Sequence, residues 1–513
     1  MPSILRHIYR SLWPDDITVR QQRFQLTVSG TALAAAWPPL PLGFLALAAL
    51  VLPLDIISGK TPRGAFASGY LFAFVYHICA LYWIGWVTVP GTIAAVAIIS
   101  LYNGFVFSLY AAVYRRARML ALLLLPILWV GLEYFRTLLE IAFPWTNLSY
   151  TQWNYLPFLQ ICEYIGDLGL SFIIVVVNIL IWRAWRAKGR RVRAALVLGA
   201  GLLVALPTIY GALVLAKAPA EHDGPITIAL LQGNIDLETK WDPQQRDVSL
   251  RMYDSLATAA MPADLLVWPE TAAPMYLLGD YSQTLRVLQT AKKIGVPMLV
   301  GTLDYRVMTD TTYEYFNAAL QFDPDLRYRP PYHKMKLVPF AEAVSYGEYL
   351  PFLENLSLGW SDFTHGVEPR IYKNTFGAYG TLICYESLFP ELVNQNIREG
   401  ADFLVNITND TWYGRSSGPY QHAVMVIFRA IENRIWIARA ANSGFSFFVD
   451  KYGRIYNRSN LMERAVIRGK ISPIEGRTFF NRTGPIVGRA GLLMIAVVSL
   501  ILAAVWVKNK VLR

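Results

Sequence analysis

Three cysteines, six histidines and a charged fraction of 16% are sparse for a chain of 513 residues, and each scarcity excludes something. Cys79, Cys162 and Cys384 lie far apart, and the first two fall in apolar surroundings, so no disulfide framework is encoded. There is no CxxC pair, no HExxH, no P-loop and no GxGxxG run, which leaves metal, cofactor and nucleotide chemistry without support. Internal repeats and low-complexity tracts are also missing. The shortage of charge carries a different message. With 54% hydrophobic residues and a mean hydropathy of +0.34, the chain is too apolar for an ordinary soluble protein.

The apolar residues are unevenly placed. They form eight segments near 24–36, 40–57, 65–88, 92–114, 119–138, 165–185, 194–215 and 488–507. A full crossing takes about 20 apolar residues, so the first two read as a short, tilted hairpin broken at Trp37-Pro38-Pro39-Leu40-Pro41. The alternative is one kinked span, and charge bias decides between them. Basic clusters lie at Arg6 to Arg23, at Lys60 and Arg63, at Arg115 to Arg118, at Lys188 to Arg193 and at Lys508 to Arg513. Eight crossings put every cluster on the cytoplasmic side, so the net charge of +11 reads as a topology signal and not as affinity for nucleic acid.

The same parity places residues 216–487 and the loop 139–164 outside the cytoplasm. No signal-peptidase pattern follows the first apolar stretch, which reads as a retained anchor. The expected organisation is a membrane domain over 1–217, a large water-soluble domain over 218–487, and a final membrane helix with a cytoplasmic tail over 488–513. Glu133 and Arg136 lie three apart in the fifth segment, ahead of Phe143-Pro144-Trp145. Two readings stand: a self-neutralising helix pair with an interfacial aromatic anchor, or a contact for lipid headgroups.

From Ile226 the pattern changes to short β-branched runs separated by helical stretches, with Pro219, Gly224 and Pro225 as the linker. Strands are expected at Ile226–Leu231, Asp264–Trp268, Pro297–Thr302, Asn317–Phe322, Gly377–Ile383, Asp402–Ile407, Ile435–Ala440 and Phe445–Val449. Helices are expected near 243–259, 282–294, 388–399 and 419–433. This alternation argues for an α/β domain.

Polar residues collect where these strands end. Glu270 follows Leu265-Leu266-Val267-Trp268-Pro269, Cys384 follows Leu382-Ile383, and Asn409-Asp410 follows Leu404 to Thr408. Ligands gather at the carboxyl ends of strands in α/β sheets, so these endings can share one pocket. The run Tyr332 to Glu342 fits neither strand nor helix and reads as a functional loop. A thiol that attacks a carbonyl needs a base for its proton and a partner for the oxyanion. Glu270 and Lys334 supply those two roles, whereas His333, His365 and His422 are not tied to comparable strand ends. Singly, each has an ordinary reading as a core cysteine, a capping carboxylate or a solvated lysine. Their concurrence in one domain favours the chemical reading.

Trp268-Pro269-Glu270, the loop Lys334 to Glu342 and Ile383-Cys384-Tyr385-Glu386 resemble the three signatures of the carbon–nitrogen hydrolase, or nitrilase, superfamily. Joined to membrane segments, they resemble the membrane-embedded apolipoprotein N-acyltransferase family of bacterial inner membranes. The likeness extends to Gln232-Gly233-Asn234, Lys240-Trp241, Asn409 to Trp412, Pro419 with Gln421-His422, and Arg439 to Gly444. The resemblance implies an αββα sandwich facing the periplasm, a multi-span helical membrane domain and a catalytic triad of Glu270, Lys334 and Cys384. It implies supporting roles for Glu342, Tyr385 and Glu386, and binding or gating roles near the pocket for Trp241, Trp412 and Asn409. It implies no cofactor, a phospholipid acyl donor, phosphatidylethanolamine, and a diacylated apolipoprotein acceptor.

Two positions depart from the family pattern: Ala341 stands where Gly is usual and Ala441 where Thr is common. Lys336 competes with Lys334 for the catalytic assignment, and the spacing to Val338-Pro339-Phe340 and Glu342 favours Lys334. The apolar stretch Tyr346 to Trp360 reads as a lid touching lipid or as a core-packed loop. A membrane-anchored amidase using the same triad, and an inactive membrane scaffold, are the competing functions.

Overall fold

A computed structural model describes residues 16–219, 223–242, 244–309, 311–344 and 362–511. The expected lid, Tyr346 to Trp360, lies outside the described residues. The helical part comprises α1 (Ile17–Ala35), α2 (Val51–Ile57), α3 (Pro62–Ala80), α4 (Val89–Tyr114), α5 (Arg118–Phe135), α6 (Leu156–Leu159), α7 (Cys162–Arg186), α8 (Arg190–Lys217) and, at the far end of the chain, α15 (Ile486–Val511). Among the described residues, α4, α5, α7, α8 and α15 are long and apolar enough to cross a membrane. The second expected segment is not a continuous helix: a 3-10 turn, Gly43–Leu47, precedes α2. Local chemistry sets several starts, since Thr61 and Thr88 accept from the N–H groups of Gly64 and Gly91 while Pro62 and Pro90 occupy the first turns. Helices α5 and α15 touch backbone to backbone, because a Cβ on Gly131 would sit 2.3 Å from the carbonyl carbon of Gly491.

The α/β part stacks two sheets. In the first, the order is β14-β1-β2-β4-β5-β6, with β3 beside β4 and β7 beside β5. Its members are β1 (Ile226–Gln232), β2 (Leu265–Val267), β3 (Ala273–Tyr276), β4 (Met298–Val307), β5 (Tyr313–Asp323), β6 (Arg327–Tyr328), β7 (Tyr332–His333) and β14 (Ala465–Ile471). The second runs β13-β12-β11-β10-β9-β8, from β8 (Ile371–Asn374), β9 (Gly377–Ile383), β10 (Phe403–Thr408), β11 (Ile437–Ala441), β12 (Phe447–Val449) and β13 (Ile455–Tyr456). Side chains bridge the sheets: the Tyr372 hydroxyl donates to the Ala319 carbonyl at 3.0 Å and the Tyr379 hydroxyl to Gln321 Oε1 at 2.8 Å. Helices α10 (Arg246–Ala259) and α11 (Tyr281–Ile294) flank the first sheet; α12 (Pro390–Arg398) and α13 (Gly418–Asn433) flank the second, which completes an αββα sandwich.

Expected and observed strands differ at their ends, and six observed strands, β3, β6, β7, β8, β13 and β14, have no expected counterpart; β7 opens the run Tyr332 to Glu342, which reads in sequence as neither strand nor helix. β4 and β5 run on to Val307 and back to Tyr313, because they pair antiparallel through Val307↔Tyr313 well beyond the apolar core. β14 was not expected. Its alternating Arg468 and Lys470 look like loop residues, yet the strand lies antiparallel along β1 from Ile226↔Ile471 to Gln232↔Ala465 with only one face buried.

Helix α13 is buried on all sides, as a helix must be when it is covered on two faces. One face meets the second sheet and the other meets α7. Arg429 on α13 reaches Asp167 on α7 at 3.1 Å and Glu432 at 3.0 Å, and Glu432 also accepts the Asp167 N–H at 2.8 Å. All three side chains are at most 1% exposed. The loop 139–164 is stapled in the same way: Glu133 accepts from Leu148 N–H and Trp129 Nε1, and Arg136 donates to Thr146 and Asn147. Glu133 and Arg136 form a buried 3.9 Å pair, so they hold protein and not lipid. Trp145 is likewise 1% exposed, which corrects its reading as an interfacial anchor. Its indole N–H and that of Trp83 both donate to Gln421 of α13.

Removing one partner of a buried ion pair strands the other charge at a cost of about 3–5 kcal/mol. Arg429→Met leaves Asp167 and Glu432 uncompensated, and a lower melting temperature of the purified protein in detergent is the expected outcome. Arg251→Met, whose partner Asp247 is half exposed, is the control expected to leave it nearly unchanged.

Candidate active site

Two strand endings from different sheets face one another. β2 ends at Val267, and Trp268-Pro269 carry the chain over the edge to Glu270, which is 5% exposed. This crossing is tight: a Cβ on Gly301 of the neighbouring β4 would lie 2.3 Å from the Pro269 carbonyl oxygen. In the opposite sheet β9 ends at Ile383, and Cys384 adopts φ +53° before a 3-10 turn over Cys384–Leu388. A non-glycine residue in that conformation is strained, and strain of this kind clusters at reacting sites. Lys334 comes from the first sheet, directly after β7, where its N–H is held by the Asn317 carbonyl at 2.9 Å.

The Lys334 ammonium is 1% exposed and lies between two carboxylates, 2.8 Å from Glu342 Oε1 and 3.3 Å from Glu270 Oε1. Burial by itself would lower its pKa, but Glu342 and then Glu270 outweigh burial and hold the ammonium protonated. Glu342 is fixed in turn by the N–H of Val338 at 2.9 Å. Burial pushes the Cys384 thiol well up, the negative charge of Glu270 adds to this, and the positive charge of Lys334 opposes it. The resting thiol is therefore neutral, and its proton must leave as the bond to carbon forms.

Glu386 ties the two sheets together at this point. Its Oε1 accepts from the N–H groups of Met335 at 2.6 Å and Lys336 at 3.1 Å, and its Oε2 from Ile383 N–H at 2.7 Å and the Tyr332 hydroxyl at 2.8 Å. One carboxylate thus fixes the loop bearing Lys334 to the turn bearing Cys384. Tyr385 points the other way: its hydroxyl donates to the Ala142 carbonyl and its ring stacks on Phe143, both in the loop from the membrane half. Lys336 also diverges from Lys334. Its ammonium lies over the Phe389 ring, 5.3 Å from the centroid, and among the described residues it meets no carboxylate.

Three residues emerge that the sequence did not single out as site members. Asn317, in the middle of β5, donates to Glu270 Oε1 at 2.8 Å and to Glu342 Oε1 at 2.9 Å, so one amide spans both carboxylates. A lone Asn inside the apolar run Phe316 to Leu320 was the available signal. Lys240, buried beside the singled-out Trp241, donates to the Glu270 carbonyl at 3.0 Å; burial lowers its pKa to about 7, against the charge of Glu270 and that of Cys384 when it is a thiolate. His422, set aside in the sequence because no strand precedes it, lies with Nε2 3.3 Å from the Cys384 carbonyl oxygen and Nδ1 2.8 Å from Asp410 Oδ1. Asn409 is occupied structurally, accepting from Thr411 and from Asn442. Trp241 and Trp412 are half-buried. Among the described residues, no group of three or more His, Cys, Asp or Glu side chains is placed to hold a metal ion.

Asp410 anchors the floor of the Cys384 turn. Burial would raise its carboxyl, but Arg439 at 3.0 Å and His422 hold it down to about 2. A carboxyl whose pKa is depressed on folding contributes stability above its unfolded pKa, and loses that contribution as pH falls through the folded value. The contribution, on the order of 2 kcal/mol, is therefore complete above about pH 4 and gone by about pH 2. Asp410→Asn is expected to lower the melting temperature at pH 6–7, with the gap to the parent protein closing below pH 4. A gap that stays constant with pH contradicts the charge argument.

Residues 29–180 match the model of the apolipoprotein N-acyltransferase N-terminal domain, and residues 227–477 match that of carbon-nitrogen hydrolase. Apolipoprotein N-acyltransferase from Geobacter metallireducens is 37% identical over 96% of this chain and 97% of its own length. The proteins of that name from Chlorobaculum tepidum and Azotobacter vinelandii are each 30% identical, covering 91% and 96% of this chain and 93% and 96% of their own. Among solved structures, an amidase from Nesterenkonia sp. AN1 is 18% identical over 50% of this chain and 94% of its own, with a TM-score of 0.37. Identity at this level along nearly the full length, in both the helical and the sandwich parts, means that the chain belongs to the apolipoprotein N-acyltransferase family.

Proposed function

We propose that this bacterial membrane N-acyltransferase works by ping-pong transfer through a thioester on Cys384, with phosphatidylethanolamine as acyl donor. The observation that carries the reading is the buried Lys334 ammonium, held between Glu270 and Glu342 on the loop that Glu386 ties to the Cys384 turn. In the first half-reaction Glu270 takes the thiol proton as sulfur bonds to the ester carbonyl carbon. The Lys334 ammonium stabilises the oxyanion of the tetrahedral intermediate, and the carbon–oxygen bond breaks as Glu270 returns the proton to the glycerol oxygen. Lysophospholipid leaves, and the acyl chain stays on sulfur.

In the second half the α-amine of an S-diacylglyceryl cysteine, at the N-terminus of a lipoprotein, attacks the thioester. Its proton passes to Glu270 and then to the departing sulfur, leaving an amide and the free thiol. Glu342 and Asn317 act as positioning residues for Lys334 and Glu270. In this reading the helices cross the inner membrane in several passes and the sandwich faces the periplasm, where diacylated lipoproteins present their amino ends. The contact of Tyr385 with the membrane-half loop supports a site fed from the bilayer.

Incubation with phosphatidylethanolamine followed by mass measurement of the intact protein is expected to reveal one acyl adduct, cleaved by hydroxylamine and missing in Cys384→Ala. Addition of a diacylated lipopeptide is expected to discharge it onto the peptide as a third acyl chain. An adduct that persists in Cys384→Ala contradicts the thioester, and discharge to free fatty acid with the peptide untouched assigns a hydrolase instead. Asn317→Ala frees two carboxylates that one amide now spans, and a small misplacement of reacting groups costs on the order of 10²-fold in rate. Slower adduct formation of about that size is the expected result, measured well below the melting temperature, which falls as two buried carboxylates lose a donor.

A further inference from the structure

Lys336 is conspicuous for what it does not do. It lies two residues from Lys334, and its backbone N–H is fixed by Glu386 at 3.1 Å, but its side chain turns away from the triad. It lines two neighbouring cavities. One, of about 170 Å³, is walled by Tyr134 and Leu139 at the end of α5, by Pro485 ahead of α15, and by Phe389 and Glu391. The other, of about 420 Å³, is walled by Leu139, Glu140, Ala142, Leu337 and Phe389. The smaller lies where two membrane-length helices, α5 and α15, end beside the sandwich, and the larger adjoins it under the loop that follows α5. In a bilayer that is the depth of the lipid headgroups.

The charges around the smaller cavity decide what it suits. Glu391 is already engaged by the Tyr134 hydroxyl at 2.9 Å and by Arg489 at 2.8 Å, and Asp167 is engaged by Arg429 at 3.1 Å. The acidic groups are spent, whereas Lys336 has no carboxylate partner among the described residues. An ammonium half-buried beside apolar walls favours an anion, and the anion that every glycerophospholipid carries at this depth is its phosphate.

We propose that Lys336 is a binding residue for the phosphate of the donor lipid, holding the headgroup at the ends of α5 and α15 while the acyl ester reaches Cys384. The assignment rests on the phospholipid-donor reading above. It makes a distinct claim: the donor is recognised through its phosphodiester and not through the amine beyond it. Phosphatidylethanolamine and phosphatidylglycerol then bind alike, and a diacylglycerol without phosphate binds by its chains alone. The Lys334-to-Lys336 spacing, pinned by Glu386, sets the distance between phosphate and oxyanion.

Binding in the Cys384→Ala protein tests this without chemistry, so failure of the thioester reading and failure of the subsite remain separable. Affinities for dioleoylphosphatidylethanolamine, dioleoylphosphatidylglycerol and dioleoylglycerol are compared in mixed detergent micelles, with and without Lys336→Met. The expected result is a loss of about tenfold for both phospholipids on Lys336→Met, recovered by Lys336→Arg, and no such loss for dioleoylglycerol. An equal loss for all three lipids, or none for the phospholipids, overturns the assignment. Displacement of phospholipid by millimolar inorganic phosphate makes the cavity a site for free anions and overturns it as well.

Discussion

A lysine ammonium that is 1% exposed costs several kcal/mol to desolvate unless opposite charge is built around it, and the active region is organised by that requirement. Two carboxylates answer it, and each must then be satisfied on its other lone pairs. Asn317 serves both, the Val338 N–H serves Glu342, and Lys240 fixes the carbonyl of Glu270. Every one of these partners sits on a different element: β5, the loop after β7, and the short helix α9 (Leu237–Trp241). Satisfying one buried charge therefore draws together segments that are far apart in sequence.

The thiol lies on the other sheet and needs its own link to this group. Glu386 provides it with four donors, two from the Lys334 loop and one each from β7 and the end of β9. Burial still pushes its carboxyl up to about 7, so the donors only partly offset the loss of water. Beneath the same turn, Asp410 has a cationic partner and stays near 2. The contrast is one of kind: N–H dipoles steady a buried carboxylate less than a guanidinium does. Beyond the turn, Tyr385, Gln421 and Arg429 carry the constraint into the helices that surround the loop 139–164.

Much of this was legible in the sequence, and the reason is local. Strand endings followed by a polar or thiol side chain, as at Trp268-Pro269-Glu270 and Ile383-Cys384, leave a one-dimensional pattern because a continuous apolar run stops there. Asn317 left almost none: a single polar residue inside a buried strand is explained only by what stands opposite. His422 was set aside because it follows no strand, yet a helix brings it under Cys384 from 38 residues away. Trp145 looked interfacial since aromatic residues beside apolar segments usually are, but here a second domain covers it. β14 was missed because its charged face is the solvent side of an edge strand, paired to a partner more than two hundred residues earlier.

The electrostatics also constrain how the proposed reaction divides its labour. Lys334 cannot act as an acid, because surrendering its proton would leave Glu270 and Glu342 facing each other across a dry site. It is a fixed positive charge, useful only where negative charge develops. Glu270 is different: Asn317 and Lys334 share one of its oxygens, and the proton taken from sulfur goes to a carboxylate that Lys334 then releases toward the oxyanion. As the thiol proton moves, one negative charge leaves Glu270 and one appears on the substrate oxygen, so the ammonium always has a partner. The buried ammonium is therefore paired at every step, which is a condition for doing ionic chemistry in so buried a place.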